Sequence, residues 1–323
     1  MILAFANSLF LKLAGFLLSG LLFITGAAPA APAAPIEAKD PESVELQFSV
    51  VADVHMETYT LFRFRDFAQV LTDMASAKQR QDALVLVGDN TMNGQITEYI
   101  MLYGLLSRYD SSKNFLMAMG NHDLNQSTYE TSAAIRRHNF FLRSYTGAAN
   151  DKPYYNQMNY RITSAFYDGG LHYQIENPYT FIILGDEDPQ EDTTATISQI
   201  QLDWLAATLE KALKGYPIFI FLHQQLGHTF AWEWGGVGEQ SEAIREIIEQ
   251  YENVFFFNGH LHRPFEVKEI GGVTYVNLPT LLSGAQTGIG CQVEAYEDRV
   301  VLRARDYVAG EWLDEYSFDV YAK

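Results

Sequence analysis

The 323-residue chain has a single cysteine, Cys291, so neither an internal disulfide nor a thiolate metal cluster can form within it. Cys291 lies in a strand-like stretch and reads as a small buried hydrophobe. Positive charge is scarce: 22 Lys and Arg stand against 40 Asp and Glu, a formal net charge of −18. That balance argues against broad electrostatic binding to nucleic acid or to an anionic membrane surface, both of which need basic patches. It leaves room for a small anionic substrate, because bound cations can dominate a local field. Outside the first 35 residues there is no internal repeat and no low-complexity tract.

What is present is core-forming material, 48% hydrophobic and 14% aromatic. Residues 1–35 differ from the rest. They carry one charge, Lys12, then an apolar run from Leu13 to Thr25, then small residues such as Ala28-Pro29-Ala30. This reads as a secretory signal peptide and small-residue leader, since the apolar run is shorter than the about 20 residues of a spanning helix. The expected location is outside the cytoplasm: secreted, periplasmic or at the cell surface. An uncleaved membrane anchor is the alternative. Residues 36–43 read as a linker and 44–323 as one domain.

Within that domain the apolar periodicity alternates between strand and helix. Val44–Ala52 is strand-like, and Leu61–Lys78 has helical spacing at Phe64, Phe67, Leu71 and Met74. Ala83–Val87 and Phe115–Met119 are short, wholly apolar runs, as expected of strands covered on both faces. Residues 132–144 suggest a helix and 148–170 loops and short strands. Thr180–Leu184, Pro217–Leu222 and Val254–Phe257 are further strands. Ser198-x-x-Gln201 looks like a capping box opening a helix with Leu202, Leu205, Leu209 and Leu213 on one face. Ser241–Tyr251 is a second such helix, and antiparallel strands follow from Gly272. The layout is that of a layered α/β enzyme.

Polar clusters sit where these strands end. In order they are Asp53-Val54-His55, Gly88-Asp89-Asn90, Gly120-Asn121-His122-Asp123, His223, and Gly259-His260-Leu261-His262. Five of the eight histidines fall in this set. Carboxylate oxygen together with imidazole nitrogen suits Zn, Fe or Mn. Asp53 and His55, two apart at a strand end, are expected to project to one side by strand alternation. Gly88 permits a tight turn that leaves Asp89 at the strand mouth.

The order and types of these motifs resemble the calcineurin-like metallophosphoesterases, whose pattern runs D-x-H, G-D, G-N-H-D/E, H, G-H-x-H. The likeness extends from about Val44 to about Asp319. It implies a four-layer α/β/β/α sandwich of two mixed sheets flanked by helices, and two divalent metal ions, Mn, Fe or Zn. By this resemblance Asp53, His55 and His262 hold the first ion; Asn121, His223 and His260 hold the second; Asp89 bridges them. It implies hydrolysis of a small phosphomonoester or phosphodiester by a hydroxide held between the ions. His122 would protonate the leaving group, with Asp123 beside it to orient and charge its ring. A non-catalytic metal-binding or scaffold module on the same fold is the competing reading. Purple acid phosphatases, a branch of this superfamily, carry a tyrosine three residues after the second-motif aspartate. Here that residue is Met92, which argues against a tyrosinate–iron site. His138, His172 and His228 have no motif context and read as structural or surface residues. The loop Trp232–Gly238 reads equally as an aromatic lid over substrate or as packing.

Overall fold

The computed structural model describes residues 32–124, 160–163, 179–186, 193–231, 235–282 and 288–323. The first sheet contains β1 (Leu46–Val51), β2 (Gln81–Val87), β3 (Ser112–Ala118), β10 (Ile289–Ala295), β11 (Arg299–Asp306) and β12 (Glu311–Tyr321). The second contains β4 (Tyr160–Thr163), β5 (Thr180–Ile183), β6 (Ile218–Phe221), β7 (Val254–Asn258), β8 (Glu266–Ile270) and β9 (Val273–Asn277). Their orders are β12-β11-β10-β1-β2-β3 and β4-β5-β6-β7-β9-β8. Both are mixed: β1, β2 and β3 run parallel, as do β5, β6, β7 and β9, with antiparallel strands at the flanks.

Strand alternation sorts the side chains into layers. Phe48 and Val50 of β1, Val85 and Val87 of β2, Phe219 and Phe221 of β6, and Phe255 and Phe257 of β7 share one core between the sheets. Their neighbours in sequence face outward. Leu84 and Leu86 pack under α1 (Leu61–Ala75) and α2 (Ile96–Arg108), against Phe64, Phe67, Tyr99 and Leu102. Ile220 and Phe256 pack under α4 (Gln199–Leu209) and α5 (Gln240–Ile248), against Leu205 and Ile244. A one-turn helix, α3 (Asn121–Leu124), follows β3. The expected α/β/β/α sandwich is therefore the observed one. Phe48 ties its two halves together, its ring meeting Phe219 at 4.9 Å and Phe181 at 5.1 Å edge-on. Such pairs are worth about 0.5–1.5 kcal/mol each beyond their buried area. Among the described residues no helix is long and apolar enough to cross a membrane.

Several local expectations change. Ser198 caps α4 by accepting from the Gln201 amide at 3.3 Å, but no reciprocal box forms. The Gln201 side chain is instead drawn to Gly185, donating to its carbonyl and accepting from its amide, both at 2.9 Å. Leu213 lies beyond the end of α4 and is exposed. A box-like cap appears where none was expected, at the start of α2, where Glu98 accepts from the Gln95 amide at 3.0 Å. The stretch 132–144 lies outside the described residues. So do residues 148–170, except β4.

The stretch expected as a linker, residues 36–43, is held against the domain, as is Ala34 before it. Ile36 and Ala38 are buried, the Lys78 amide donates to Ile36 at 2.9 Å, and Arg303 donates to the Glu37 carbonyl at 3.1 Å. Arg305 is the anchor. Its guanidinium donates to the Ala34 carbonyl at 2.6 Å and grips Asp73 of α1 through two bonds of 2.6 and 2.7 Å. Arg305 and Asp73 are both fully buried. Burial raises the Asp73 pKa despite the guanidinium beside it.

Candidate metal centre

The residues that follow β1, β2, β3, β6 and β7 converge, so the centre is built by both sheets together. The chain does not simply run on as strand here. Asp53 (φ 56°), His55 (φ 47°), Asp89 (φ 47°), His260 (φ 72°) and His262 (φ 50°) all have left-handed backbones. They are five of the seven such non-glycine residues described, which concentrates strain of about 1–3 kcal/mol each at this spot. The expectation that strand alternation aims Asp53 and His55 is thus corrected. β1 ends at Val51, and it is a left-handed turn at each of the two residues that brings them to one side.

Neighbouring turns over-determine that conformation. The Asp53 amide donates to the Gly88 carbonyl at 3.1 Å and the His55 amide to the Asp89 carbonyl at 2.8 Å, so the first two motifs brace each other. The His260 amide donates to Asp53 Oδ2 at 3.1 Å, which fastens the fifth motif to the first. Gly88 (φ 81°) is required on two counts: its backbone is left-handed, and a Cβ there would run into the His223 ring. A Cβ on Gly120 would overlap the Asp89 carboxylate.

Three donor clusters result: Asp53, His55 and His262; Asp89, His223 and His260; and, between them, His55, Asp89 and His122. His262 Nε2 lies 3.0 Å from Asp53 Oδ1 and 3.0 Å from His55 Nε2. Asp89 Oδ2 lies 3.2 Å from His223 Nε2 and 3.7 Å from His55 Nε2. Asn121 Oδ1 is buried with no hydrogen-bond partner. A buried amide oxygen without a hydrogen-bond partner, next in sequence to Gly120, which abuts the Asp89 carboxylate and the His223 ring, is a donor type that a divalent cation accepts. Six of the seven ligand candidates fall in these clusters, and their carboxylate and imidazole donors suit divalent ions.

Electrostatics agree. Burial would raise the Asp53 pKa, but hydrogen bonds with His262 and His55 overcome it and hold the carboxyl well below the usual range. Asp89 is likewise lowered to about 2, burial being outweighed by the His223 charge. The same contact raises His223 to about 9 against its burial. Burial and the His223 charge lower His260 to about 4, and the Asp53 hydrogen bond outweighs burial to raise His262.

The His122 ring stands edge-on to the His55 ring at 4.7 Å. Its Nδ1 donates to the Met92 carbonyl at 2.8 Å, which leaves Nε2 as the atom able to exchange a proton. Asp123 does not touch this ring, contrary to expectation. It is fully buried and accepts from the Gly120, Asn90 and Thr91 amides, the Asn90 side chain and the Thr91 hydroxyl at 2.7–3.1 Å. Asp123 clamps the second and third motifs together, a positioning role. Burial, reinforced by Asp89, raises its pKa. Met92 was notable in the sequence only for the side chain it lacks, whereas it contributes through its backbone. No sequence signal could have marked that.

His228 is exposed and outside the clusters; His138, His172 and Trp232–Trp234 lie outside the described residues. The described end of the tryptophan loop is packed: the Val237 amide donates to Gln225 at 2.8 Å, and Gly235 lies against His260.

The calcineurin-like phosphoesterase family pattern matches residues 46–264. A search of curated proteins found no match. Among solved structures, a dimetal phosphatase from Danio rerio is similar with a TM-score of 0.62 and 15% identity, over 87% of this chain and 100% of that one. A purple acid phosphatase, PPD1, from yellow lupin (Lupinus luteus) seeds is similar with a TM-score of 0.61 and 12% identity, over 85% of this chain and 53% of that one. At such identities the structural likeness speaks for the fold, and the matched family pattern speaks for the lineage. The chain belongs to the calcineurin-like phosphoesterases, a family of metal-dependent hydrolases.

Proposed function

We propose that the protein is a dinuclear-metal phosphoester hydrolase acting on a small phosphomonoester or phosphodiester. The observation that carries this is the position of Asp89, whose Oδ2 lies between His223 Nε2 at 3.2 Å and His55 Nε2 at 3.7 Å. One carboxylate would thereby serve both donor groups, Asp53, His55 and His262 on one side, His223 and His260, with Asn121 by the family resemblance, on the other. Divalent ions held there, Mn, Fe or Zn, would supply Lewis acidity toward phosphate oxygens and lower the pKa of water.

The chain's own residues do the rest. The four imidazoles and two carboxylates that face the centre come from the turns after four strands, Asp53 and His55 from one, Asp89 and His223 from one each, His260 and His262 from another. Hydrogen bonds between these turns hold the donors in place before any ion arrives. His122, with Nδ1 committed to the Met92 carbonyl, presents Nε2 to the leaving-group oxygen and delivers a proton to it. The His122 amide donates to Asp89 Oδ1 at 2.9 Å, which ties the backbone of the acid to the carboxylate proposed as the bridge. The leader read in residues 1–35 of the sequence supports a site of action outside the cytoplasm.

The test is an assay of Mn-loaded protein against paired nitrophenyl monoesters and diesters. Turnover of either class, abolished by chelation, is expected. Protein that binds two ions yet turns over neither would favour the scaffold reading instead.

A further inference from the structure

Beyond the ligands themselves, we infer that Asn258 and Asn277 form a positioning clasp that sets the His260–His262 turn, and through it the affinity for both ions. The inference rests on the proposed function, in which His260 and His262 serve different ions.

The two residues face each other on the last rung of the parallel β7–β9 pair, directly beneath the turn. Both are almost wholly buried. Asn258 donates from Nδ2 to Asn277 Oδ1 at 2.9 Å and to the Gly259 carbonyl at 3.2 Å. Asn277 donates from Nδ2 to the Pro264 carbonyl at 3.0 Å and to the Arg263 carbonyl at 3.4 Å. One amide therefore holds the entry to the turn and the other its exit. The segment between them carries two left-handed histidines, at φ 72° and 50°, a conformation that L-residues adopt only under external constraint. A short Leu261-to-Gly259 hydrogen bond of 2.9 Å is the turn's own internal contact, and the Asp53 carboxylate touches it at the His260 amide. Without the clasp the exit is free to relax, and His262 and His260 lose their aim together. Outer residues that orient ligands in this way typically change metal affinity about 10–100-fold when replaced.

The decisive substitution is Asn277→Asp. It keeps the oxygen that accepts from Asn258 but replaces the donor with an anion facing two carbonyls. Val273→Ala, at the far end of β9 in a buried apolar position, is the matched control for general loss of stability. Each protein is freed of metal, checked for folding by circular dichroism and titrated with Mn²⁺ in a calorimeter. The expected result is about a 10–100-fold loss of affinity at both ions in Asn277→Asp, with wild-type affinity in Val273→Ala despite its lower melting temperature. Wild-type affinity in folded Asn277→Asp would overturn the inference. So would affinity losses that track melting temperature across both variants. If Asn277→Asp does not fold, Asn277→Ser, which is smaller and uncharged, decides on the same criteria. Failure of the wild-type protein to bind Mn²⁺ would instead remove the proposed function on which the clasp depends.

Discussion

His223 donates its Nδ1 proton to the carbonyl of Val87, 2.8 Å away, and in doing so joins the two sheets at the metal centre. Val87 ends β2 of the first sheet and His223 follows β6 of the second. A carbonyl can only accept, so the bond fixes the tautomer and turns Nε2 toward Asp89.

The glycine beside that carbonyl should not tolerate a side chain. Gly88→Ala would place a methyl group against the His223 ring and hold alanine at φ 81°. The expected cost is about 1–3 kcal/mol of backbone strain, with His223 displaced and the ion beside it lost. Thermal melts with elemental analysis of the Mn-loaded variant check this; unchanged melting and full metal content would contradict it.

Metal stoichiometry tests the bridge. Mn-loaded wild-type protein should saturate at about two ions per chain. Asp89→Asn keeps the shape but removes the shared charge, and should lose both ions and activity together. A variant that retained two ions and near-normal turnover would show that Asp89 is not the bridge.

His122→Ala should separate chemistry from metal binding. The ring's anchor is a backbone carbonyl, so its removal should leave both ions bound while turnover falls about 10²–10⁴-fold. The loss should be smaller for nitrophenyl esters, whose leaving group is already a stable anion, than for alkyl esters. Equal losses on both would assign His122 to binding phosphate; loss of metal would place it among the ligands, where its proximity to His55 and Asp89 makes that outcome measurable.

The acid–base balance predicts opposite pH trends with and without metal. His223 is raised from 6.5 to about 9, so the stability it lends the metal-free fold is complete below 6.5 and lost as pH rises through about 9. Asp89, lowered from 3.8 to about 2, lends stability above 3.8 that is lost as pH falls through about 2. An incoming ion must displace the His223 proton, so Mn²⁺ affinity should climb by up to about tenfold per pH unit toward that upper value. Calorimetric titrations across that interval, with melting curves of both forms, check the sign; affinity flat with pH would refute it.

The amino-terminal strap gives a prediction about the leader. Protein beginning at Pro32 should melt like the full-length chain, whereas protein beginning after Asp40 should be less stable. The second truncation strips buried Ile36 and the Ala34 carbonyl from Arg305. Leaving that buried guanidinium with a bond unmade costs about 1–3 kcal/mol. Sequencing the amino terminus of protein from its native host locates the natural start, and a start beyond residue 36 would show that the strap is dispensable.

Some of this molecule was written locally in the chain. Alternation at Leu46, Phe48 and Val50 marked the first strand, and the short, wholly apolar runs Ala83–Val87 and Phe115–Met119 marked strands covered on both faces, because strand periodicity and length are properties of the local chain. Polar residues directly after those strands marked the centre, and their types marked it as one for divalent cations. Other features existed only once distant segments met. Left-handed turns at Asp53, His55, Asp89, His260 and His262 are imposed by hydrogen bonds between motifs far apart in sequence, which no local propensity encodes. Asp123 was read as a partner of the adjacent His122, yet its five hydrogen bonds go to Asn90, Thr91 and Gly120, because the neighbouring turn presents a cluster of donors and His122 finds the Met92 carbonyl instead. Residues 36–43 look like a linker by composition, and only the buried Ile36 and the hydrogen bonds that Lys78 and Arg303 make to Ile36 and Glu37 show why they are held. Residue chemistry and spacing set which groups would meet; long-range packing set how each one is aimed.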